Sequence, residues 1–203
     1  MRDFLLMVFP GAMYFWVLFV AQGPMQEVLQ EMQSRVLPRL LACPLTPAQY
    51  LLSKMLRCFL LSGLALTLLV AVSGLCFAMR WGNPCQLAPV LAAWAGSMTG
   101  LLALIYGFCR TREQANVLAP LVLIVCAMLG GGMLPFENLP AFLQIVGQYT
   151  PNRWAALTLL GVANSKPWLQ WLWPLAGLLS LALLGCGVSF FLFKRRLASG
   201  GRA

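Results

Sequence analysis

Five long apolar runs constrain the fold of this 203-residue chain more than any other feature. An α-helix rises 1.5 Å per residue, so about 20 apolar residues cross the hydrocarbon core of a bilayer. None of the five runs carries an acidic residue near its middle. The sequence therefore predicts an all-α integral membrane protein with about five transmembrane helices, at residues 4–22, 48–79, 86–109, 114–134 and 168–193.

The composition places the whole chain in the membrane. Hydrophobic residues make up 61% of it and charged residues only 9%, against about 25% charged residues in an average soluble domain. No stretch is polar and long enough for a separate soluble domain, so residues 1–203 are predicted to form a single transmembrane domain. The net charge of +9 is dispersed beside the apolar runs. That pattern is typical of membrane-flanking charges, and no nucleic-acid partner is expected.

The side chains that enzymes and metal sites need are scarce. Histidine is absent, which removes the commonest general base and a common zinc ligand. The seven cysteines form no CxxC pair, and no GxxxxGK[ST] phosphate-binding loop occurs. We therefore predict no catalytic, cofactor-binding or metal-binding residue on this chain, and no enzyme activity.

The basic residues predict an orientation, because cytoplasmic loops are enriched in Lys and Arg. If the first loop is cytoplasmic, Arg2, Arg80, Arg153 and Lys166 lie outside and the other ten basic residues lie inside. Five tryptophans then gather at the outer interface, where indoles are favoured: Trp81, Trp154, Trp168, Trp171 and Trp173. We expect a multi-pass protein of the plasma membrane, which in bacteria is the inner membrane, with its N-terminus outside and its C-terminus cytoplasmic.

Two helix starts are marked by capping sequences. Thr46-Pro47-Ala48-Gln49 places a capping Thr before Pro at the first helical position and Gln at the third, and Asn83-Pro84-Cys85-Gln86 repeats the arrangement.

Within the third span, Ala92, Gly96 and Gly100 recur every four residues. Such a face permits close helix packing, which is expected inside the bundle more than at a subunit interface.

Two short apolar pieces lie between the fourth and fifth spans, at residues 139–147 and 151–163. Each is too short to cross a bilayer, and Pro140 and Pro151 stand near their starts. Backbone groups in lipid must be satisfied internally. We predict two short re-entrant or interfacial helices packed against the outer end of the bundle.

Residues 24–42 form an amphipathic stretch, predicted as a helix on the cytoplasmic side. Its apolar face comprises Met25, Val28, Leu29, Met32, Val36 and Leu40. One interpretation is an interfacial helix whose apolar side rests in the lipid headgroups. The polar face mixes acids and amides with few bases, which favours contact with a protein partner instead.

Several motifs resemble those of type-2 permeases, the transmembrane subunits of ATP-binding-cassette exporters. The first set surrounds the amphipathic stretch: Glu31, Leu37, Arg39-Leu40-Leu41, Cys43-Pro44-Leu45-Thr46 and Leu51-Leu52-Ser53-Lys54. The second set resembles the family's closing region: Arg112-Glu113-Gln114-Ala115, Gly130-Gly131-Gly132, Pro135, Leu139-Pro140 and Thr150-Pro151. The resemblance covers about residues 8 to 196. Such permeases usually have six spans, so we expect the first span to be missing here or to lie on another chain.

The resemblance implies a permease subunit that couples ATP hydrolysis on a cytoplasmic nucleotide-binding ATPase to export. It implies that the ATPase docks on residues 24–42, the coupling helix, with Glu27, Glu31, Arg35 and Arg39 as contact residues. It also implies a second permease chain, identical or different, beside membrane lipid. The apolar spans with scattered hydroxyls favour efflux of an amphiphilic substrate, although each hydroxyl can instead bond its own helix carbonyls.

Other functions remain open. Secondary transporters and ion channels usually place a charge at mid-membrane, and no span centre here is charged. A non-transporting membrane subunit that assembles or regulates another complex fits every compositional feature. Neither the substrate nor the direction of transport follows from the sequence.

Overall fold

The computed structural model describes residues 2–34, 46–77, 81–132, 135–164 and 166–200. Within these ranges the regular structure is helical and no β-strand is present, which confirms the predicted all-α fold. The α-helices there are α1 (Arg2–Ala21), α2 (Gly23–Gln33), α3 (Pro47–Phe77), α4 (Pro84–Phe108), α5 (Arg112–Leu129), α6 (Ala141–Gly147), α7 (Pro151–Ala163) and α8 (Trp168–Gly200). A short 3₁₀-helix, Phe136–Asn138, precedes α6.

Four helices in the described ranges are long and apolar enough to cross a membrane. These segments are Pro47–Cys76 of α3, Pro84–Phe108 of α4, Arg112–Leu129 of α5 and Trp168–Arg195 of α8. Helix α1 contains the first predicted span, and its crossing of the membrane stays a prediction. Helix α5 ends at Leu129, before the predicted end at residue 134, because Gly131 turns the chain with a positive φ of 81°.

Helix α4 is the central helix of the bundle. In its most apolar window 67% of the residues are buried, against 28% for α3, 22% for α5 and 17% for α8. Helix α4 contacts α1, α2, α3, α5, α7 and α8. The other three candidate spans therefore present most of their apolar surface outward, as helices in contact with lipid do.

Glycines let α4 and α8 pack closely. A Cβ atom on Gly100 would lie 2.5 Å from the carbonyl oxygen of Leu181, and one on Gly185 would lie 2.6 Å from the carbonyl oxygen of Gly100. Gly96 faces the Cβ of Ala182 in the same contact. Gly96 and Gly100 thus serve packing within the bundle, as predicted, whereas Ala92, the third residue of the predicted face, is exposed.

Two buried hydrogen bonds between side chains connect α1 and α7 to α4. The Tyr14 hydroxyl of α1 and the Ser97 hydroxyl of α4 share a buried hydrogen bond of 3.0 Å. The indole of Trp94, also in α4, donates to the Thr158 hydroxyl of α7 at 2.9 Å. The rings of Tyr14 and Trp94 meet edge to face. Because the Tyr14 hydroxyl and the Trp94 N–H each find a partner, their hydrogen bonds offset the cost of removing these groups from water.

The predicted helix starts have the expected caps. The Thr46 hydroxyl accepts from the Gln49 backbone N–H at 3.3 Å, and the Gln49 carboxamide accepts from the Thr46 N–H at 3.0 Å, which confirms the reciprocal cap of α3. The Asn83 side chain accepts from the Cys85 N–H at the start of α4. These caps satisfy backbone donors that would otherwise be unpaired at the helix ends.

The short helices α6 and α7 pack against the bundle end opposite α2. Glycines again permit the contact: a Cβ on Gly130 would lie 2.5 Å from that of Asn152, and one on Gly11 would lie 2.7 Å from the Cα of Gly132. A Cβ on Gly161 would lie 2.7 Å from the ring of Trp171. The Gly130-Gly131-Gly132 segment therefore provides the space that α1 and α7 occupy.

The hydroxyls in the spans bond within their own helices. Five of the scattered hydroxyls donate to a backbone carbonyl three or four residues earlier: Ser62, Thr67, Ser73, Ser97 and Thr99. A hydroxyl satisfied in this way needs no ligand. These side chains consequently give no support for a substrate-binding role.

The α4–α8 contact gives the first prediction. Gly100→Leu should destabilise the protein by about 1–3 kcal/mol or prevent folding, because the side chain would meet the α8 backbone. The measurement is the thermal unfolding midpoint of the purified protein in detergent.

Gly187→Ala is the matched control on α8, since a Cβ there has no heavy atom within 4 Å. It should leave the midpoint unchanged or raise it slightly, because Ala favours the helix by about 0.5–1 kcal/mol. Equal midpoints for wild type and Gly100→Leu would contradict the packing argument.

Candidate functional site

Helix α2 is held in the bundle by its apolar face. Pro24, Met25, Val28 and Leu29 are buried, and α2 contacts α3, α4 and α5. The apolar side thus faces protein, which the interpretation as a helix resting in headgroups does not predict. On the opposite side Gln30, Gln33 and Ser34 are exposed. The described helix ends at Gln33, and the remainder of the predicted helix 24–42 lies outside the described residues except for Ser34.

An ion-pair cluster joins α2 to the start of α3. Lys54 Nζ lies 2.7 Å from Glu27 Oε2 and 2.9 Å from Glu31 Oε1. Arg57 Nη1 lies 2.9 Å from Glu27 Oε2, and the Tyr50 hydroxyl donates to Glu31 Oε2. We call these five residues, Glu27, Glu31, Tyr50, Lys54 and Arg57, the α2–α3 corner. Residues three or four apart on a helix lie on one face, so the two acids of α2 and the three residues of α3 form two facing sets.

Burial differs among the members of the α2–α3 corner. Lys54 is the most buried, with 13% of its side chain exposed, whereas 63% of Arg57 is exposed. Exposed ion pairs contribute little, because water screens the charges, so Lys54 carries more of the interaction than Arg57. A buried Lys needs compensating carboxylates, and Glu27 and Glu31 both supply one.

The surroundings of Glu31 shift its titration. Burial raises the pKa of the Glu31 carboxyl, but hydrogen bonds from Tyr50 and Lys54, together with the charges of Lys54 and Arg57, hold that pKa below its usual value. Glu31 therefore stays ionised at neutral pH. Its stabilising contribution is present above the unfolded-state pKa and is lost as the pH falls through the lower folded-state pKa.

Two amide contacts extend the connections of α2. The Tyr106 hydroxyl of α4 donates to Gln22 Oε1 at 3.1 Å, immediately before α2. Gln33 Nε2 donates to Glu113 Oε2 at 3.4 Å, which links the end of α2 to the start of α5. Both ends of α2 are thereby tied to other helices as well as to α3.

The structure places the predicted contact residues in two groups. Glu27 and Glu31 lie together on α2 and face α3. Arg35 and Arg39 lie outside the described residues. Sequence reasoning missed Tyr50, used Arg57 only in the charge count, and used Lys54 in that count and in the Leu51-Leu52-Ser53-Lys54 motif without pairing it with the acids of α2. The signal was present, because acids at 27 and 31 and the basic or hydroxyl groups at 50, 54 and 57 each follow a helical repeat.

The described residues contain no group of three or more His, Cys, Asp or Glu side chains that could hold a metal ion. The chemistry at the α2–α3 corner is ionic and structural. Fold and corner together define an all-α membrane protein in which a short helix is bonded to the start of a long apolar helix.

Comparison with known proteins identifies the family. The family model described as ABC-2 family transporter protein matches residues 2–193, so the chain belongs to this family, which confirms the resemblance to type-2 permeases. A relative, the linearmycin resistance permease protein LnrN of Bacillus subtilis (strain 168), is 23% identical over 145 residues. The match covers 71% of this chain and 38% of that relative. No solved structure matches the chain.

The α2–α3 corner gives the second prediction. Lys54→Met should destabilise the protein by about 1 kcal/mol, because Glu27 and Glu31 lose their most buried partner. Arg57→Met should cost less, since that side chain is largely exposed. A double-mutant cycle of Lys54→Met with Glu31→Gln, followed by thermal unfolding, measures the coupling directly.

Additive effects in that cycle would show that the pair contributes nothing. Acidification provides an independent check: the stability difference between wild type and Glu31→Gln should disappear once the pH falls below the lowered pKa of Glu31.

Proposed function

We propose that this chain is the membrane-spanning permease subunit of an ATP-binding-cassette exporter. In this proposal a partner subunit hydrolyses ATP, and the permease converts that event into movement of its spans. Membership of the ABC-2 transporter family supports the permease role. The observation that carries the mechanism is the bonding of Glu27 and Glu31 on α2 to Lys54 on α3.

The ATPase would dock on the segment 24–42, with Glu27, Glu31, Arg35 and Arg39 as its contacts. Two facts about α2 support this surface. Its apolar side is already covered by the bundle, so that side is not free for a partner. The carboxylate side chains remain partly accessible, at 37% for Glu27 and 26% for Glu31, beside the exposed Gln30.

The α2–α3 corner would transmit the motion. Because α2 is bonded to the first three turns of α3, a displacement of α2 by the ATPase displaces the start of α3 as well. Helix α3 runs without a break from Pro47 to Phe77, about 45 Å at 1.5 Å per residue. A rigid helix of that length carries a tilt from the α2 side of the membrane to the other side.

The substrate is proposed to be amphiphilic and the direction outward. The spans supply apolar surface and no charged side chain at their centres, which suits a lipid-like molecule better than an ion. A second permease chain would complete the pathway, since several hydroxyls of the spans, among them Ser62, Ser97 and Thr99, are buried in the core and the outward faces are largely apolar.

Affinity purification tests the partner. The tagged chain, extracted from its native membrane in mild detergent, should carry a nucleotide-binding ATPase. Glu31→Lys should reduce the co-purified ATPase about tenfold or more, because it reverses a charge in the proposed contact. The amount of ATPase is measured by quantitative mass spectrometry relative to the permease.

Lys54→Met is the matched control, because it breaks the α2–α3 corner from the α3 side and leaves the α2 charges in place. It should retain the ATPase. A wild-type preparation without any nucleotide-binding chain would contradict the exporter proposal and favour the non-transporting subunit. If Glu31→Lys and Lys54→Met lost equal amounts of ATPase, the loss would be due to disruption of the α2–α3 corner and not to a direct contact between Glu31 and the ATPase.

The proposed orientation has its own test. Cys85 is exposed at the start of α4, on the proposed outer side, and Cys43 belongs to the proposed cytoplasmic segment. In intact cells an impermeant maleimide should label a variant that keeps only Cys85, and should label one that keeps only Cys43 only after permeabilisation. The opposite pattern would invert the topology.

A further inference from the structure

An open groove runs between the end of α4 and the start of α5. It has a volume of about 550 Å³ and is lined by Phe108, Glu113, Gln114, Val117, Leu118 and Leu121, among others. Val117 is 72% exposed and Phe108 is 64% exposed, so the groove opens to the outside of the bundle. We call it the α4–α5 groove. Its walls are apolar apart from Glu113 and Gln114, which lie together in the first turn of α5.

Glu113 gives one end of the groove a negative charge. In the described part of the chain, the ion pairs within 4.0 Å use Glu27 and Glu31, and none uses Glu113. Gln33 contacts it at a long 3.4 Å, and the Thr111 side chain and the charge of Arg112 also act on this carboxylate. Glu113 is nevertheless exposed, so its oxygens remain open to a further donor. The carboxylate is therefore available to a cation that approaches along the groove.

The turn before α5 holds this end of the groove in place. Gln114 Oε1 accepts from the Arg110 backbone N–H at 3.1 Å, and the Thr111 hydroxyl accepts from the Gln114 N–H at 3.2 Å. Arg110, which is exposed, thus lies in the same turn that precedes Glu113. A positive and a negative side chain stand three residues apart where α5 begins.

The position of the groove matches the depth of a membrane lipid. Glu113 lies at the end of a span, where headgroups are found, and Leu121 lies about 12 Å further along α5, in the depth range of acyl chains. An occupant therefore needs an apolar chain for the groove and a cationic group at headgroup depth. The adjacent Arg110 suits an anionic group next to that cation.

We propose that the α4–α5 groove binds a phospholipid with a primary ammonium headgroup, as in phosphatidylethanolamine. The ammonium donates to the Glu113 carboxylate, the phosphate lies towards Arg110, and one acyl chain follows Val117 and Leu121. A primary ammonium has hydrogens to donate to a carboxylate, whereas a quaternary choline has none and a glycerol headgroup carries no positive charge.

A second groove of similar size shows why the charge matters. It lies between α3 and α4, has a volume of about 530 Å³, and is lined by apolar residues together with Thr67. Without a charged side chain in its lining, it can hold acyl chains but cannot distinguish headgroups. The charge of Glu113 therefore makes the α4–α5 groove the one that can distinguish lipid headgroups. This inference does not depend on the ATPase partner.

Native mass spectrometry tests the lipid site. The full chain in detergent is offered an equimolar mixture of phosphatidylethanolamine, phosphatidylcholine and phosphatidylglycerol with identical acyl chains. Wild type should retain phosphatidylethanolamine about fivefold over the others, the preference expected from one partly exposed charged contact. Glu113→Gln should remove this preference.

Three controls separate binding from indirect effects. Glu137→Gln makes the same change at an exposed carboxyl outside the groove and should keep the preference. Gln33→Ala removes the contact of Glu113 with α2 and should also keep it. Leu121→Trp, which fills the groove, should lower the retention of all three lipids without changing their order.

No preference in wild type, or an unchanged preference in Glu113→Gln, would overturn the proposal. Loss of the preference in Gln33→Ala would assign the effect to α2 instead of a lipid bound at Glu113.

Discussion

The close contact of α4 and α8 at Gly100 and Gly185 sets the geometry on which the rest of the bundle depends. Hydrocarbon provides no hydrophobic drive between helices, so association relies on van der Waals packing and a few hydrogen bonds. The two glycines bring the backbones together, and the opposite sides of α4 are then free for α1, α3, α5 and α7. The buried bonds of Tyr14 and Trp94 connect to this central helix.

The α2–α3 corner connects this apolar bundle to its polar end. Two carboxylates from α2 reach Lys54 of α3. These ion pairs fix the short helix α2 to the beginning of α3, the next helix along the described chain. A helix with only 11 residues has little stability alone. Its position therefore depends on the buried Met25, Val28 and Leu29 together with the ion pairs to α3 and the amide contacts to α4 and α5.

Much of the fold could be predicted, because hydropathy and capping act locally. The Thr46–Gln49 cap and the four described spans follow from short stretches of sequence. The candidate site was predicted only in part. Glu27 and Glu31 were singled out as contacts of an ATPase, which stays a prediction. Their bonds to Tyr50, Lys54 and Arg57 were not predicted, because these residues come from another helix and no local pattern specifies which faces of two helices will meet. The end of α5 was predicted too late, because hydropathy does not report the left-handed conformation at Gly131.

The sequence by itself determined that the chain is helical and membrane-embedded, since apolar runs of this length have few other stable states in which backbone groups are satisfied. It also determined the family, since the family model matches residues 2–193 of the sequence. Only the tertiary structure decided that α2 faces the bundle, that its acids bond to α3, and that Glu113 closes an apolar groove. Those relations join residues far apart in the chain, and they exist only once helix packing has brought the faces together.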